Sequence, residues 1–464
     1  MTSLRPLLAA FAVTGSAQVA ILLMGLVRFK LVSLWLGPAG LGVLGLMLAL
    51  QAFGSQIAGL GLGPATVRMI AARPHRLTRA TLLLPRAAIV QGGIAAVVVF
   101  VFRVPLAGWL LDDPTRGAEV AFVGLGIPVA LLAGAGTALL QGQRRIHTLA
   151  RVQVTAAAAG TVLALAAIAK WGAAALPALV LVPPAVLACL VWMVPARPAA
   201  TGARPGPALW PRLVRLGMAT VAGTAFSAMV LLVLRAQIAS RLGLDAVGLF
   251  TAAWALAVTQ AGFVLAALSA DFYPRLTALL SRPAGARALI DTQIRLILAL
   301  GAPVLVVLAG QADLVLTLFY SEAFLPAAPL LGWMVLGTIL RLPAWAMGFA
   351  MLARGAGGMF FLAELGFAML CLGLSLILMP ILGLTAVGVG FALAYGAYLA
   401  AGLIWGAAQA MSPGPVPLIL TATALLLATL SLNVPALTWL LAIIQAALGI
   451  LALQPAAFFR RHPA

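Results

Sequence analysis

Charge is scarce in this chain, so the few charges inside apolar sequence are the first candidates for chemistry. Arg28 and Lys30 interrupt a run that begins at Leu7 and continues to Leu36. Arg341 stands 13 residues before Arg354, hence about 20 Å along a helix from the nearest flanking charge. A charge at the centre of a membrane helix costs at least ~2.5 kcal/mol and is expected to face a partner or a polar cavity. Arginine in such a place suits an anion, because its planar fork holds phosphate oxygens bidentately and stays charged. Arg341 is therefore read as lining a cavity, with an ion pair to an acid such as Glu364 as the structural alternative. Arg28 and Lys30 lie about 200° apart around a helix, so they cannot share one face. Arg28 is assigned to the interior, with snorkelling outward to the headgroups as the alternative, and Lys30 to the headgroup level. Arg235 is the near-counterpart of Arg28 in the second half of the chain.

Gln51, Gln56 and Gln260 offer amides to a hydroxyl-rich ligand. For each the alternative is an interhelical hydrogen bond of about 0.6–2 kcal/mol. Glu364 and Asp271 are the candidates for carrying a coupled ion. Against this stand a structural pair of Glu364 with an arginine and an ion pair of Asp271 with Arg275, one turn on.

These residues must be held by membrane helices. Of 464 residues, 64% are hydrophobic and 8% charged, too few to clothe a soluble domain of this size. Apolar runs of about 20 residues recur throughout, each long enough to span a bilayer core as a helix. Fourteen spans are predicted: 8–34, 39–64, 82–102, 119–141, 152–169, 173–194, 213–238, 246–270, 290–309, 326–352, 359–379, 383–407, 416–431 and 434–453. Sorting the 28 Lys and Arg by alternate loops puts twenty on the side of the N-terminus and seven on the other, with Arg341 on neither. That bias places both termini in the cytoplasm. The first apolar run is too long for a cleavable signal. The net charge of +19 belongs to this topology and not to nucleic-acid binding. Cys189 and Cys371 are far apart in apolar runs and imply neither a disulfide nor a metal cluster.

A shift of 206 residues lays "LGPAGLGVLGLMLAL" (36–50) over "LGLDAVGLFTAAWAL" (242–256), and "GTALLQGQ" (136–143) resembles "GFAMLARG" (348–355). A repeat every six spans preserves orientation, so the halves are parallel copies related by an axis along the membrane normal, with a substrate path between them. The expected organisation is a six-helix lobe over 1–197, a cytoplasmic linker over 198–212, and a second lobe over 213–410. Residues 411–464 add a helix pair and a basic tail.

The stretches "LGPAGLG" (36–42), "GLGLGPATVRMIA" (59–71), "DFYPRLTALLS" (271–281) and "LFYSEAFLPAAPLLGWMVLGTILRLPAWAMGFAMLARG" (318–355) resemble, in that order, signature stretches of the Wzx-type polysaccharide translocases. Those belong to the multidrug/oligosaccharidyl-lipid/polysaccharide flippase superfamily. "GLVRFKLVSLWLG" (25–37) is also similar to the first helix of the lipid II flippases, in which the arginine at the place of Arg28 lines the central cavity. The resemblance implies an all-α polytopic protein with two six-helix lobes in a V-shaped, alternating-access arrangement. It implies transport of an undecaprenyl-diphosphate-linked oligosaccharide across a bacterial inner membrane for O-antigen, capsule or exopolysaccharide assembly. Membrane lipids are implied partners, and a polysaccharide polymerase and a chain-length regulator would act beside it. A two-lobed path in one chain makes a monomer sufficient.

No cofactor is expected. Nothing resembles a phosphate-binding loop, so the energy source would be a coupled ion, H+ or Na+. Two other readings stand beside this one. A multidrug exporter of the same superfamily would place acids in its cavity, whereas the intramembrane charges here are mainly arginines. A membrane-embedded enzyme acting on polyprenyl-linked glycans would carry a large outer loop with acid or His/Arg clusters. The outer loops are short, and His75, His147 and His462 all fall on the cytoplasmic side.

Overall fold

The computed structural model describes residues 4–72, 77–194 and 209–453. Among these every regular element is helical. In chain order they are α1 (Leu4–Gly59), α2 (Leu62–Ala72), α3 (Leu77–Val101), α4 (Arg103–Leu111), α5 (Gly117–Gly142), α6 (Ile146–Trp171), α7 (Leu176–Met193) and α8 (Leu209–Trp254). There follow α9 (Gln260–Ala278), α10 (Pro283–Gly310), α11 (Ala312–Phe319), α12 (Ala328–Ala353), α13 (Gly357–Leu382), α14 (Thr385–Ala408), α15 (Pro415–Asn433) and α16 (Thr438–Leu453). The expected linker lies outside the described residues as far as 208, as do the tail from 454, His75 and His462.

Among the described residues eleven continuous segments are long and apolar enough to cross a membrane. Three of them, Ser16–Gly59, Ile146–Met193 and Ala225–Gly262, are double, broken at Gly37, Gly172 and Gly243; divided there, the segments give fourteen helical pieces. Most predicted spans coincide with these pieces to within a few residues. One does not: the span read over 39–64 is interrupted at Leu60 and Gly61, both with positive φ. Two short helices were missed, α4 with 9 residues and α11 with 8. They lie in the turns between α3 and α5 and between α10 and α12, and are too short to register as spans.

By its contacts the chain divides into two compact units, Met1–Gly248 and Leu249–Ala464, so the boundary falls inside α8. This is a division by packing, whereas the lobes were drawn from the repeat. The repeat itself is legible in the backbone. Gly37 (φ 64, ψ −167) and Gly243 (φ 88, ψ 170) lie 206 residues apart and adopt one conformation, in a region that only glycine enters freely. Within the first unit the arms following these breaks cross each other. A Cβ on Gly42 would strike the Leu244 carbonyl, and one on Gly248 would strike the Pro38 carbonyl. Both pairs of positions are again 206 apart, so the crossing is reciprocal.

Further along, both ends of α12 fall 211 residues after those of α5, and both ends of α13 fall 211 after those of α6. The turns between them match as well. Arg144 (φ 56) and Gly355 (φ 80) are both left-handed, and the next N–H, of Arg145 or Ala356, bonds back to Leu140 O (3.0 Å) or Met351 O (2.9 Å), closing the helix end as a Schellman-type cap. This sets the register at 211, correcting by one residue the pairing of 136–143 with 348–355. The drift from 206 to 211 arises in between, where α10 has 28 residues against 25 in α3, and a six-residue turn precedes α12 against three before α5.

In the second unit the last helix pair is held at both ends by α10. Asp291 Oδ1 accepts from the Gly414 N–H (2.7 Å) at the start of α15, and Arg295 Nη1 donates to Ala452 O (3.4 Å) at the end of α16. An acid at a helix N-terminus and a base at a C-terminus both complement the helix dipole. Ser431 Oγ donates to Val306 O at 3.2 Å and Gln311 Nε2 to Pro435 O at 3.1 Å.

Candidate functional site

In the first unit, positions 18, 21, 25 and 28 share one face of α1 and form a wall of a cavity of about 870 Å³, its mouth included. Its polar lining is Gln18 and Arg28 from α1 and Gln153 and Thr161 from α6, with Pro183 and Pro184 of α7 opposite. Here α6 and α7 are in near-backbone contact: a Cβ on Gly160 would lie 2.8 Å from the Pro183 Cα. Arg28 Nε is buried without a hydrogen-bond partner, and the guanidinium carbon sits 5.5 Å from the Phe29 ring centroid. Among the described residues no carboxylate forms an ion pair with it. A guanidinium whose buried Nε is unused has a donor to offer an anion. Lys30 does not line this cavity.

The tandem prolines of α7 cannot donate, so the carbonyls four residues earlier, at Leu179 and Val180, lose their helical partners. Gln51 meets one of these. Its Nε2 donates to Val180 O (3.2 Å) and to Gly126 O (3.1 Å), binding the second arm of α1 to α5 and α7. Arg235 is buried and donates through Nη1 to Gly45 O, tying the first arm of α8 to α1. Gln56 is exposed and lines a separate cavity at the end of α1.

In the second unit, five residues between α8 and α9, Ala255–Thr259, form a π-helix, a widening that loosens the regular backbone ladder. Two side chains of α12 donate into it. Thr338 Oγ1 reaches Ala257 O (3.2 Å) and Arg341 Nη1 reaches Val258 O (3.1 Å). Arg341 also lies over Tyr395, 6.0 Å from guanidinium carbon to ring centroid, within the range of a cation–π contact. Tyr395 is held by Phe367 (centroids 4.2 Å) and Phe391 (4.9 Å). Tyr398, one turn on, donates to Glu364 Oε1 at 3.2 Å. Arg341 and Glu364 are thus in one polar cluster on α12, α13 and α14, yet they form no ion pair among the described residues.

The structure therefore brings Arg341 and Glu364 together in the second unit, while in the first none of Gln51, Gln56 and Arg235 lines the cavity of Arg28. Gln260 opens α9 with its Oε1 buried and unpartnered, two residues from Gly262, where a Cβ would lie 3.8 Å from Arg341 Nη2. Asp271 is exposed and paired with Arg275 at 2.9 Å, the side chains 67% and 61% accessible. Sequence reasoning missed Gln18, Gln153 and Thr161, and also Thr338, Tyr395 and Tyr398. The tyrosines carried a signal: two of the chain's four stand three apart in "AYGAYL" (394–399), inside a span.

No curated protein matches the chain. Several solved structures share its fold. Lipid II flippase MurJ, in an inward closed conformation, superposes with a TM-score of 0.72 at 12% identity, covering 95% of this chain and 96% of that one. An inward-facing multidrug resistance MATE family transporter of the MOP superfamily gives 0.64 at 16% identity, covering 84% and 94%. A MOP superfamily transporter from Pyrococcus furiosus gives 0.60 at 16% identity, covering 87% and 94%. Residues 32–329 match the sequence profile of a family described as "Polysaccharide biosynthesis protein". With that match over more than half its length, and with the fold expected from the translocase resemblance, the chain belongs to the polysaccharide biosynthesis protein family.

Proposed function

We propose that this protein is a flippase that carries undecaprenyl-diphosphate-linked oligosaccharide units from the cytoplasmic to the periplasmic leaflet of a bacterial inner membrane. In this reading all fourteen helical pieces cross the bilayer and both termini are cytoplasmic. The observation that carries it is Arg28, a guanidinium with an unpartnered buried Nε in a cavity that also presents Gln18, Gln153 and Thr161. A diphosphate needs a cation with free donors, and the sugars attached to it need hydrogen-bonding amides and hydroxyls. The family supports a role in polysaccharide assembly, and the fold is one that other transporters share. Glu364 is the carboxyl best placed to carry a coupled ion, since it is held by Tyr398 and forms no ion pair among the described residues. The exporter reading, which the MATE likeness would permit, is disfavoured by an unpaired arginine lining the cavity.

Mass spectrometry of undecaprenyl-linked glycans in a deletion strain, beside the complemented strain, tests the proposal. One complete, unpolymerised repeat unit should accumulate while a surface polysaccharide is lost. If no lipid-linked sugar accumulates and sensitivity to a cationic drug rises, the exporter reading replaces it.

A further inference from the structure

The turn that joins α5 to α6 and opens α6 reads "RRIHTLAR" (144–151), three arginines and a histidine in a short stretch. Its counterpart in the second half, in the register of 211, is closed by the same backbone bonds and reads "GAGGMFFL" (355–362). The fold therefore does not ask for these charges. It even opposes one of them. Arg144 takes a left-handed backbone (φ 56) where the second half has Gly355 (φ 80). Glycine enters that region without a steric penalty, and an arginine does not. A strained residue of this kind persists where its surroundings have a use for it.

No carboxylate neutralises the turn. Arg144, His147 and Arg151 are exposed, and none of them forms an ion pair among the described residues. No acid precedes Asp112 in the sequence, and none lies between Glu119 and Asp245. Glu119 is itself paired with Arg116, about 35 Å from the turn along α5. The anion these side chains suit is therefore not supplied by their own unit.

The place of Arg151 on α6 selects the partner. Arg151, Thr155, Ala159, Val162, Ala166 and Lys170 recur every three or four residues and are all exposed, so they form one stripe along the helix. The cations at its two ends lie about 28 Å apart, close to the roughly 30 Å of a bilayer's hydrocarbon core. Between them only Thr155 is polar, and its hydroxyl is spent on Arg151 O at 2.8 Å. The equivalent face of α13 is apolar, with Leu362, Ile377 and Ile381 60%, 70% and 79% exposed. Such a stripe faces lipid, which sets Arg151 and the turn beside it at headgroup level. An arginine fork fits phosphate oxygens, and each basic residue at a membrane surface strengthens attachment to anionic lipid roughly fivefold. We infer that the α5–α6 turn is a binding site for the phosphate headgroups of anionic phospholipids, held by Arg144, His147 and Arg151. The second half, lacking these charges, has no matching site.

The site goes beyond the transport reading, which asks nothing of headgroup charge, and it is tested without any glycan. Thermal unfolding of the purified full-length protein in detergent is followed as dioleoylphosphatidylglycerol or dioleoylphosphatidylcholine is added. Phosphatidylglycerol is expected to raise the midpoint saturably, by a few degrees more than phosphatidylcholine, as mass action on the folded state requires. The triple variant Arg144→Gly, His147→Gly, Arg151→Leu installs the residues of the second half. It is expected to raise the half-saturating lipid content at least roughly tenfold. Should it fail to fold, Arg151→Gln decides, with an expected rise of about fivefold. Equal responses to the two lipids overturn the inference, as does a phosphatidylglycerol response that the variants leave unchanged. A variant that loses export but keeps that response also overturns it, and assigns the turn to a soluble anionic partner instead.

Discussion

The two halves of the chain repeat one helical plan but treat their intramembrane arginines in opposite ways. In the first, Arg28 lines an open cavity and its Nε has no partner. In the second, Arg341 is anchored to the Val258 carbonyl and to Tyr395, with Glu364 held by Tyr398 beside it. The arginines do not occupy equivalent positions, since Arg28 sits on the first span of its half and Arg341 on the fourth. Duplication supplied the scaffold, and each half then placed its charge independently. An arginine tied to a carbonyl and a ring organises its own neighbourhood. One with donors to spare can grip a passing anion.

The sharpest way to break this comparison is to remove each arginine in turn. Arg28→Ala is expected to lower glycan export by roughly 10- to 100-fold, the worth of a charge-assisted contact of about 1.5–3 kcal/mol, with the thermal midpoint unchanged. Arg28→Lys should restore only part of it, since a point charge cannot reproduce the fork. Surface-polysaccharide yield at matched protein level reads both outcomes. If Arg28→Ala unfolds the protein while Arg341→Ala leaves its stability intact, the contrast is reversed.

The reciprocal crossing sharpens the comparison at the level of the scaffold. Gly42→Ala and Gly248→Ala each drive a methyl group against a backbone carbonyl, and overpacking of this kind costs about 1–3 kcal/mol. The two losses of stability should be similar, because the contacts mirror one another. A large effect of one beside none of the other, in thermal unfolding, would deny that symmetry.

Within the second half, Arg341→Leu and Glu364→Gln belong to one network and should not add. A double-mutant cycle on unfolding free energy is expected to return a coupling of about 0.5–3 kcal/mol. Additive losses would dissolve the cluster into independent contacts. The smallest effect is assigned to Asp271→Asn. Its pair with Arg275 is exposed and worth little, so stability should move by at most about 0.5 kcal/mol and export should not change measurably. A clear export defect there would instead mark Asp271 as an ion carrier.

Much of this architecture was legible in the sequence because the bilayer imposes a single length scale. Apolar runs near 20 residues, bounded by charge or glycine, mark most helices to within a few residues. What escaped notice lacked that scale. The helices α4 and α11 are too short, and the π-helix at Ala255–Thr259 leaves hydropathy unchanged. The interruption at Leu60 sits in sequence as apolar as its surroundings. Among the candidate residues, Arg28 and Arg341 stood out because charge is expensive inside apolar sequence. The partners of Gln51 did not, because the bond to Val180 spans 129 residues and depends on a carbonyl freed by proline. The neighbours of Arg28 on α6 were hidden for the same reason, since a glutamine or threonine in a helix has no sequence mark of what it faces.

The clamp that α10 places on the last helix pair bears on how the chain is built. Helices enter the bilayer in the order of synthesis, so α10 is in place well before α15 and α16 emerge. Until they arrive, Asp291 and Arg295 have only each other, at 3.6 Å. The final hairpin is thus the step that satisfies an earlier helix. A chain stopped short of residue 411 would leave α10 displaying polar groups and a bare apolar flank, the kind of lesion by which membrane quality control recognises an unfinished protein.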